Sequence, residues 1–329
     1  MSDRPPTALF RHQPLLGTVV EVRCDGIEDD RQAEAVDAAV VAEIERLERI
    51  LTVHEPGSEL RRWQRGEVDI PSPELAEVLA LALGWQARSG GAFNPAAGAV
   101  VALWRAAEAR GEPPTPAEQA AVSAVVGRPL FHLDPAGIPR LDVAIDPDAD
   151  RGVIDLNALA KGWIVDRALA AGRALAPPDT DLVVSAGGDL RHGGPGSARV
   201  GIENPLRPFD NEPPIVTVEV SDAALATSGR ARRGFRIGGR WYGHVVDPRT
   251  GATADHVAGI TVVAPDTATA DVLATVLGLM SPADAAAHGE EQGAACLVVA
   301  PDGMVTTNDR WRSLPGAVDT PARVGSRRV

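Results

Sequence analysis

Between residues 198 and 246 the sequence places several β-type runs in succession, with no helix-length segment between them. The runs at 199–204 and 215–220 alternate apolar and polar residues, and a third leads to His244. Alternation with a period of two is typical of half-buried strands, and consecutive strands without crossover helices pair antiparallel. The stretch therefore predicts an antiparallel sheet and excludes a Rossmann fold, in which strands and helices alternate.

Helices are predicted on both sides of this stretch. Apolar residues recur at helical spacing over 36–51 and over 72–88, and a third apolar helix is predicted over 267–279. Further strands are predicted over 15–24 and 294–300, where β-branched and other apolar residues dominate.

Net charge and hydropathy argue against several classes of function. The net charge of −13 argues against nucleic-acid binding, because little positive charge is left to neutralise phosphates, and against docking to anionic lipid. No segment has the ~18 consecutive apolar residues of a spanning helix, and the N-terminus shows no secretory signal. We therefore expect no membrane insertion and a cytoplasmic location.

The two cysteines, Cys24 and Cys296, stand apart from each other and from any histidine. A zinc site is improbable, because such sites bring several Cys and His residues together at short spacings. The sequence leaves one disulfide open, but we expect two buried, reduced thiols.

A possible metal site lies in the helix predicted over 267–279. Asp271 and Thr275 are four residues apart, so their side-chain oxygens share one helix face. A carboxylate and a hydroxyl suit Mg²⁺, which keeps few protein ligands and bridges phosphates. An Asp near a helix start is also common without any metal, so the pair alone leaves both interpretations open.

Two further stretches pass from a strand end into small residues. The first carries Asp155 and continues into a helix with Lys161, and a helix start of this kind favours an anion. The second ends in Gly187, Gly188 and Asp189. Taken alone, Asp155 or Lys161 is more often part of a salt bridge than of a binding site, and a pair of glycines after a strand is weak evidence for a site.

The segment 242–251 runs from a β-type sequence into Asp-Pro-Arg-Thr-Gly. Asp, Pro and Gly favour a tight turn for separate reasons, so His244 and Asp247 are expected at one strand end. Taken by itself, the segment is best explained as a hairpin loop.

These motifs occur together and in one order along nearly the whole chain, from about residue 15 to 310. They are L-L-G-T, P-G-S-E-L, G-A-F-N-P, I-D-L-N-A-L-A-K-G, V-S-A-G-G-D-L, A-T-S-G, Y-G-H-V-V-D-P-R-T-G and A-D-V-L-A-T. In this combination the sequence resembles the ApbE family of flavin transferases. The resemblance implies an α+β, T-fold-like single compact body with central antiparallel β-sheets and flanking helices.

The ApbE-like domain is expected over 15–315. We expect residues 1–14 to be a disordered N-terminal segment and 316–329 a flexible tail, because both are polar and terminal. The Pro- and Gly-bearing region 105–145 is expected to be a peripheral insertion.

The implied activity is that of a Mg²⁺-dependent FAD:protein FMN transferase. Such an enzyme attaches FMN from FAD through a phosphoester to a Thr or Ser of an acceptor protein, and AMP leaves. The implied partners are FAD and the acceptor, and the chain is expected to be a monomer or a homodimer. Two alternatives remain: a Mg²⁺-dependent FAD pyrophosphatase and a non-catalytic FAD-binding protein.

The resemblance also implies a role for particular residues. Metal ligands are expected to be Asp271, Thr275 and the backbone carbonyl of Ala158. The catalytic residues are expected to be His244, Asp247 and Asp271, with His244 neutralising charge or relaying a proton and Asp247 or Asp155 as candidate base. The positions expected to contact the flavin nucleotide are Leu16, Ala97, Gly98, Ala99, Asp155, Lys161, Ser228, Gly229, His244 and Val246.

Two positions and one segment depart from the family pattern. Asn94 stands where Asp is common, and Asn157 where Gly is usual. The segment 230–233 is strongly basic where acidic or aromatic residues are more frequent. These departures bear on flavin contacts and substrate choice more than on the reaction.

Overall fold

A computed structural model of the chain describes residues 6–142, 154–209, 211–231 and 233–325. Its strands are β1 (Thr7–Leu15), β2 (Thr18–Asp25), β3 (Phe131–Leu133), β4 (Pro139–Leu141), β5 (Asp181–Ala186), β6 (Asp189–Gly193), β7 (Ala198–Ile202), β8 (Val216–Val220), β9 (Ala224–Gly229), β10 (Gly234–Ile237), β11 (Arg240–Gly243), β12 (Gly259–Ala264), β13 (Ala295–Val299) and β14 (Val305–Thr307). Its helices are α1 (Asp30–Leu51), α2 (Glu59–Gln64), α3 (Pro73–Arg88), α4 (Gly98–Arg110), α5 (Pro116–Val126), α6 (Asn157–Arg173), α7 (Thr267–Leu277), α8 (Pro282–Glu291) and α9 (Asp309–Arg312), followed by a 3₁₀ turn at Ala317–Asp319. Among the helices described, none has the length and apolar character that crossing a membrane would need.

Eight strands form one sheet in the order β1-β2-β5-β6-β9-β12-β13-β14. Every neighbouring pair in it is antiparallel. The other strands form the two-stranded antiparallel ribbons β3–β4, β7–β8 and β10–β11. The prediction of antiparallel strands over 198–246 is confirmed, although these strands are divided among three sheets and only β9 joins the central one.

The central strands are apolar on both faces because both faces are covered. All residues of β12 are buried. Ile260 and Val262 pack into the core that α1, α6 and α7 share with the sheet, whereas Val263 packs into a second core beneath the β7–β8 ribbon. Successive residues of a strand point to opposite faces, so these side chains need helices on one side and the ribbon on the other.

Helices α6 and α7 approach each other closely at Gly162. A Cβ atom at this position would lie 2.5 Å from the carbonyl oxygen of Thr267. One turn further along α6, the carboxylate of Asp166 accepts hydrogen bonds from the N–H groups of Thr267 at 2.9 Å and Ala268 at 3.0 Å. Asp266 adds the side-chain N-cap of α7. The first N–H groups of a helix lack partners within it, so the two carboxylates fix the start of α7 against α6.

Helix α4 supports the β10–β11 ribbon. The ring centroid of Trp104 lies 5.9 Å from that of Phe235 and 5.1 Å from that of Tyr242. The indole N–H of Trp104 also donates to the carbonyl of Gly251 at 2.9 Å. Helix α5, inside the region 105–145 that we expected to be a peripheral insertion, contributes to the same apolar cluster. That region therefore packs beneath the ribbon that leads into the 242–251 motif.

The structure differs from the disorder expected before residue 15 and after residue 315. Strand β1 forms the edge of the central sheet and pairs with β2 from end to end, apart from one irregularity. At the other terminus Val324 is buried. Pairing with a neighbouring strand satisfies the hydrogen-bonding groups of the backbone and orders the segment. The polar composition of a terminus does not reveal whether such pairing occurs. Residues 1–5 and 326–329 lie outside the described part of the chain.

Both cysteines are buried and free, as expected. Burial, with the nearby negative charges of Asp37 and Asp25, raises the pKa of the Cys24 thiol to about 11. Burial likewise raises the pKa of the Cys296 thiol to about 12. Because the thiolate is the reactive form, both side chains behave as small apolar groups of the core.

Gly162→Ala should lower the free energy of unfolding by about 1–3 kcal/mol, the usual cost of overpacking. The added methyl group would meet backbone atoms of Thr267, which cannot move without displacing α7. Gly84→Ala, in α3, is the matched control, because its Cβ would meet only the end of the Arg88 side chain, at 3.4 Å. The control should gain up to ~1 kcal/mol from helix propensity. Urea unfolding measures both, and equal stability of the two variants would contradict the close contact.

Candidate active site

Asp271 lies in α7 and faces α6. Its side chain is 8% exposed, and its Oδ2 has no hydrogen-bond partner among the described residues. Burial, together with the negative charge of Asp189, raises the pKa of this carboxyl well above its ordinary value. The nearby backbone N–H of Gly162 in α6 acts in the opposite direction and lowers this pKa. A buried carboxylate oxygen without a donor is unfavourable, and a bound cation would satisfy it.

Two neutral oxygens were predicted to act with Asp271 as donors. Thr275 is one turn beyond Asp271 in α7 and is partly exposed. In an α-helix the carbonyl of residue 158 points towards the N–H of residue 162, a group that acts on Asp271, so we expect the Ala158 oxygen on the same side of α6. Nowhere in the described ranges do three or more His, Cys, Asp or Glu side chains form a cluster of metal ligands. A site here would rely on one carboxylate and neutral oxygens, a donor set that Mg²⁺ accepts.

Lys161 is the only lysine in the chain and lies one residue before Gly162. Its ammonium forms an ion pair with Asp189 at the start of β6, where the carboxylate is 2% exposed. Burial lowers the pKa of Lys161, but the charges of Asp271 and Asp189 more than offset this effect, and the net shift is upward. The ammonium is therefore kept charged beside Asp271. The Lys161 side chain remains partly exposed to solvent.

His244 follows directly after β11 and is half-buried. Its backbone N–H lies 3.2 Å from the carbonyl of Arg233, and its ring Nδ1 lies 3.3 Å from the same oxygen. Since a carbonyl only accepts, Nδ1 carries the proton and Nε2 is left as the acceptor nitrogen. Burial lowers the pKa of the imidazole, the hydrogen bond to Arg233 opposes this, and the charges of Arg233 and Lys161 lower it further. His244 is thus a neutral imidazole at the edge of the Lys161–Asp271 cluster.

The two candidate bases differ in their surroundings. Both carboxylate oxygens of Asp247 are bonded by the Arg249 guanidinium, at 2.9 and 2.8 Å, inside the turn that follows the ribbon. Asp155, half-buried just before α6, accepts a hydrogen bond from the Asn157 N–H at 2.9 Å. Burial raises the pKa of the Asp155 carboxyl. Within the described residues no guanidinium is bonded directly to Asp155, whereas both oxygens of Asp247 are occupied by Arg249.

The remaining predicted nucleotide contacts lie on separate turns and element ends. Leu16 occupies the β1–β2 turn with a left-handed φ of 52°. Ala97, Gly98 and Ala99 form the start of α4, which lacks a side-chain cap, and this start is tied to α6 by a 2.8 Å bond from the Asp155 N–H to the Pro95 carbonyl. Ser228 and Gly229 end β9, and Val246 is buried in the apolar cluster beneath the ribbon. Within the described chain, no hydrogen bond or ion pair joins Leu16 or Ser228 to Asp271.

Arg233 was not among the predicted site residues. Its side chain is exposed, and its positive charge acts on Lys161, Asp189, His244 and Asp271. The basic run 230–233 was visible in the sequence as a departure from the family pattern. Its position beside His244 depends on the pairing of β10 with β11, which sequence alone did not locate.

The Asn94 departure has a structural explanation. Its amide oxygen accepts from the Ala96 N–H at 2.8 Å, and its amide nitrogen donates to the Val126 carbonyl at 3.2 Å. An ionised Asp cannot donate, so Asn at this position ties the loop before α4 to the end of α5.

A family model described as the ApbE family matches residues 16–298. The chain belongs to the ApbE family. The matched range extends from the β1–β2 turn into β13 and includes every candidate residue described above.

Relatives and solved structures agree with this family assignment. The FAD:protein FMN transferase of Treponema pallidum (strain Nichols) is 31% identical over 333 residues, covering 94% of this chain and 87% of the relative. That of Klebsiella pneumoniae (strain 342) is 28% identical over 310 residues, covering 90% of this chain and 85% of the relative.

The crystal structure of the Thermotoga maritima ApbE protein aligns with a TM-score of 0.79 at 22% identity over 93% of this chain and 98% of that one. The apo Pseudomonas stutzeri flavinyl transferase ApbE gives 0.74 at 22% identity, covering 96% and 100%. The predicted α+β ApbE fold is confirmed.

Arg233→Ala should raise the pKa of His244, because a neighbouring positive charge disfavours protonation of an imidazole. The rise in the His244 pKa should be modest, because burial is the larger cause of the lowered value and is unaffected by the substitution. An NMR titration should place the wild-type imidazole below the ordinary value of about 6.5 and the variant closer to it. Arg310→Ala, on α9, is the control and should leave the titration unchanged. A His244 pKa that does not move, or moves down, would contradict the described electrostatics.

Proposed function

We propose that this chain is a Mg²⁺-dependent FAD:protein FMN transferase, which attaches FMN to a Thr or Ser of an acceptor protein and releases AMP. The observation that carries the proposal is the unpartnered, buried Oδ2 of Asp271 beside the charged Lys161. It occurs in a member of a family whose curated relatives are named for this transfer.

The residues at the α6–α7 junction fit Mg²⁺. Asp271 would hold the ion, with the Thr275 hydroxyl and the Ala158 carbonyl as further oxygen donors. The fit rests on the orphaned carboxylate oxygen and on the hard-oxygen character of all three donors. When bound, Mg²⁺ would neutralise pyrophosphate charge and stabilise the departing phosphate.

The protein's own groups would bind and orient the pyrophosphate of FAD. The ammonium of Lys161 is held charged by Asp189 and Asp271, so it offers a fixed cation to phosphate oxygens. His244, neutral at rest with its Nε2 unprotonated, would take up a proton as negative charge develops nearby. The start of α4 has no side-chain cap, and the positive end of a helix favours phosphate binding.

The transfer step forms one bond and breaks one. The acceptor hydroxyl oxygen bonds to the phosphorus on the FMN side, and the bond from that phosphorus to the bridging oxygen breaks. AMP leaves with the electron pair of that bond, and the hydroxyl proton passes to a base. We assign the base to Asp155 in preference to Asp247, whose two oxygens are bonded by Arg249. Phosphoryl transfer depends mainly on positioning and charge neutralisation, which these groups supply.

Asp271→Asn should reduce the transfer rate on the order of 100-fold or more, since a lost metal contact removes several kcal/mol of transition-state stabilisation. The free energy of unfolding should stay the same or rise, because the substitution removes a buried carboxyl that lacks a full set of partners. Asp319→Asn, an exposed position in the C-terminal 3₁₀ turn, is the control and should behave as wild type. The assay follows the intact mass of an acceptor protein carrying a flavinylation Thr, together with AMP release, with Mg²⁺ and with EDTA.

Other results would assign other functions. AMP and free FMN released at the same rate with and without acceptor would identify an FAD pyrophosphatase. Tight FAD binding with neither product would leave a flavin-binding protein. Full activity of Asp271→Asn would show that the metal is held elsewhere.

A further inference from the structure

The β10–β11 ribbon and the loop before it concentrate positive charge. The segment 230–240 contains five arginines and no acidic residue, although the whole chain has a net charge of −13. We propose that these arginines dock an acidic segment of the acceptor protein beside the residue that receives FMN. The inference rests on the proposed function and names the chemistry of its protein partner.

Two of these arginine side chains, Arg236 and Arg240, stack on aromatic rings of the ribbon. Arg236 lies directly opposite Trp241 in the ribbon, and its guanidinium is 5.7 Å from the indole centroid. The Arg240 guanidinium is 4.9 Å from the centroid of Tyr242, and its side chain is 68% exposed. The Trp241 N–H donates to the Arg230 carbonyl at 2.6 Å, which fixes the ribbon to the preceding loop. Stacked guanidinium groups lose less conformational entropy when they bind carboxylates.

Among the described residues, the guanidinium groups of Arg230 and Arg240 are only weakly neutralised. Asp255 is 3.8 Å from Arg230 and 4.0 Å from Arg240, and its side chain is 58% exposed. The carboxylate of Glu108 accepts a hydrogen bond from the backbone N–H of Arg236 at 2.6 Å. Exposed ion pairs at such distances contribute little, so the guanidinium groups keep most of their capacity to bind an anion.

The ribbon runs away from His244 of the candidate active site. At one end Gly234 pairs with Gly243, and the N–H of His244 donates to the carbonyl of Arg233. The other end, where Ile237 pairs with Arg240, lies about 10 Å away along the strands. Two adjacent phosphates of one pyrophosphate cannot span arginines spread over this length. An extended acidic peptide can, since its side chains repeat along a similar distance.

Charge complementarity selects an acidic partner. A chain with a net charge of −13 repels anionic proteins in general, so a local basic surface beside the site would orient such a partner. Electrostatic attraction of this kind acts mainly on encounter and weakens as salt screens it.

The test uses the full chain with FAD, Mg²⁺ and one acceptor protein in two versions. The versions differ only in the residues flanking the flavinylation Thr, which are Asp and Glu in one and Asn and Gln in the other. At low salt the acidic version should show a KM about 5- to 10-fold lower, and the difference should vanish near 1 M salt, where the Debye length falls to about 3 Å. Fluorescence anisotropy of the labelled acceptors should show the same difference in Kd.

The double variant Arg236→Gln/Arg240→Gln should lose this preference while the KM for FAD and kcat stay unchanged. The control Arg49→Gln/Arg199→Gln removes the same charge from exposed positions on α1 and β7 and should keep the preference. Equal behaviour of the two double variants, or a raised KM for FAD in the first, would overturn the proposal. If wild type modifies neither acceptor, the proposed function fails, and the anisotropy comparison still decides whether the ribbon binds acidic segments.

Discussion

The contact between α6 and α7 at Gly162 is the constraint on which the candidate active site depends. Because residue 162 has no Cβ, the start of α7 can lie against α6, where Asp166 bonds its first N–H groups. This approach brings Lys161 of one helix beside Asp271 of the other. Both helices are in turn held on the central sheet by the same apolar core, so the positions of the charged groups follow from backbone packing.

The site carries charge that the protein itself does not fully neutralise. Lys161 is paired with Asp189, whereas the Oδ2 of Asp271 has no partner among the described residues. An arrangement of this kind lowers the stability of the fold and is retained where a ligand completes it. We interpret the pyrophosphate of FAD and its metal ion as the groups that complete it here, with His244 and Arg233 along the neighbouring edge.

The sequence predicted those features that depend on local periodicity. Antiparallel strands over 198–246 followed from alternation, and the shared face of Asp271 and Thr275 required only helix geometry. The contacts that build the site join distant segments, such as Lys161 with Asp189 and Arg233 with His244. These contacts depend on strand order and helix packing, and the spacing of apolar residues along the sequence encodes neither. The edge strand β1 was missed for a related reason, since pairing partners and not composition decide whether a terminus is ordered.

We propose that the α6–α7 junction holds the metal ion at the pyrophosphate of FAD. Anomalous diffraction from crystals grown with FAD and Mn²⁺ would locate this ion, because Mn²⁺ accepts the same oxygen ligands and reveals its own position. An anomalous peak is expected within bonding distance of the carboxylate of Asp271, with Thr275 and the Ala158 carbonyl beside it. A peak bound to other residues, while Asp271 remains without a ligand, would show that the metal site lies elsewhere.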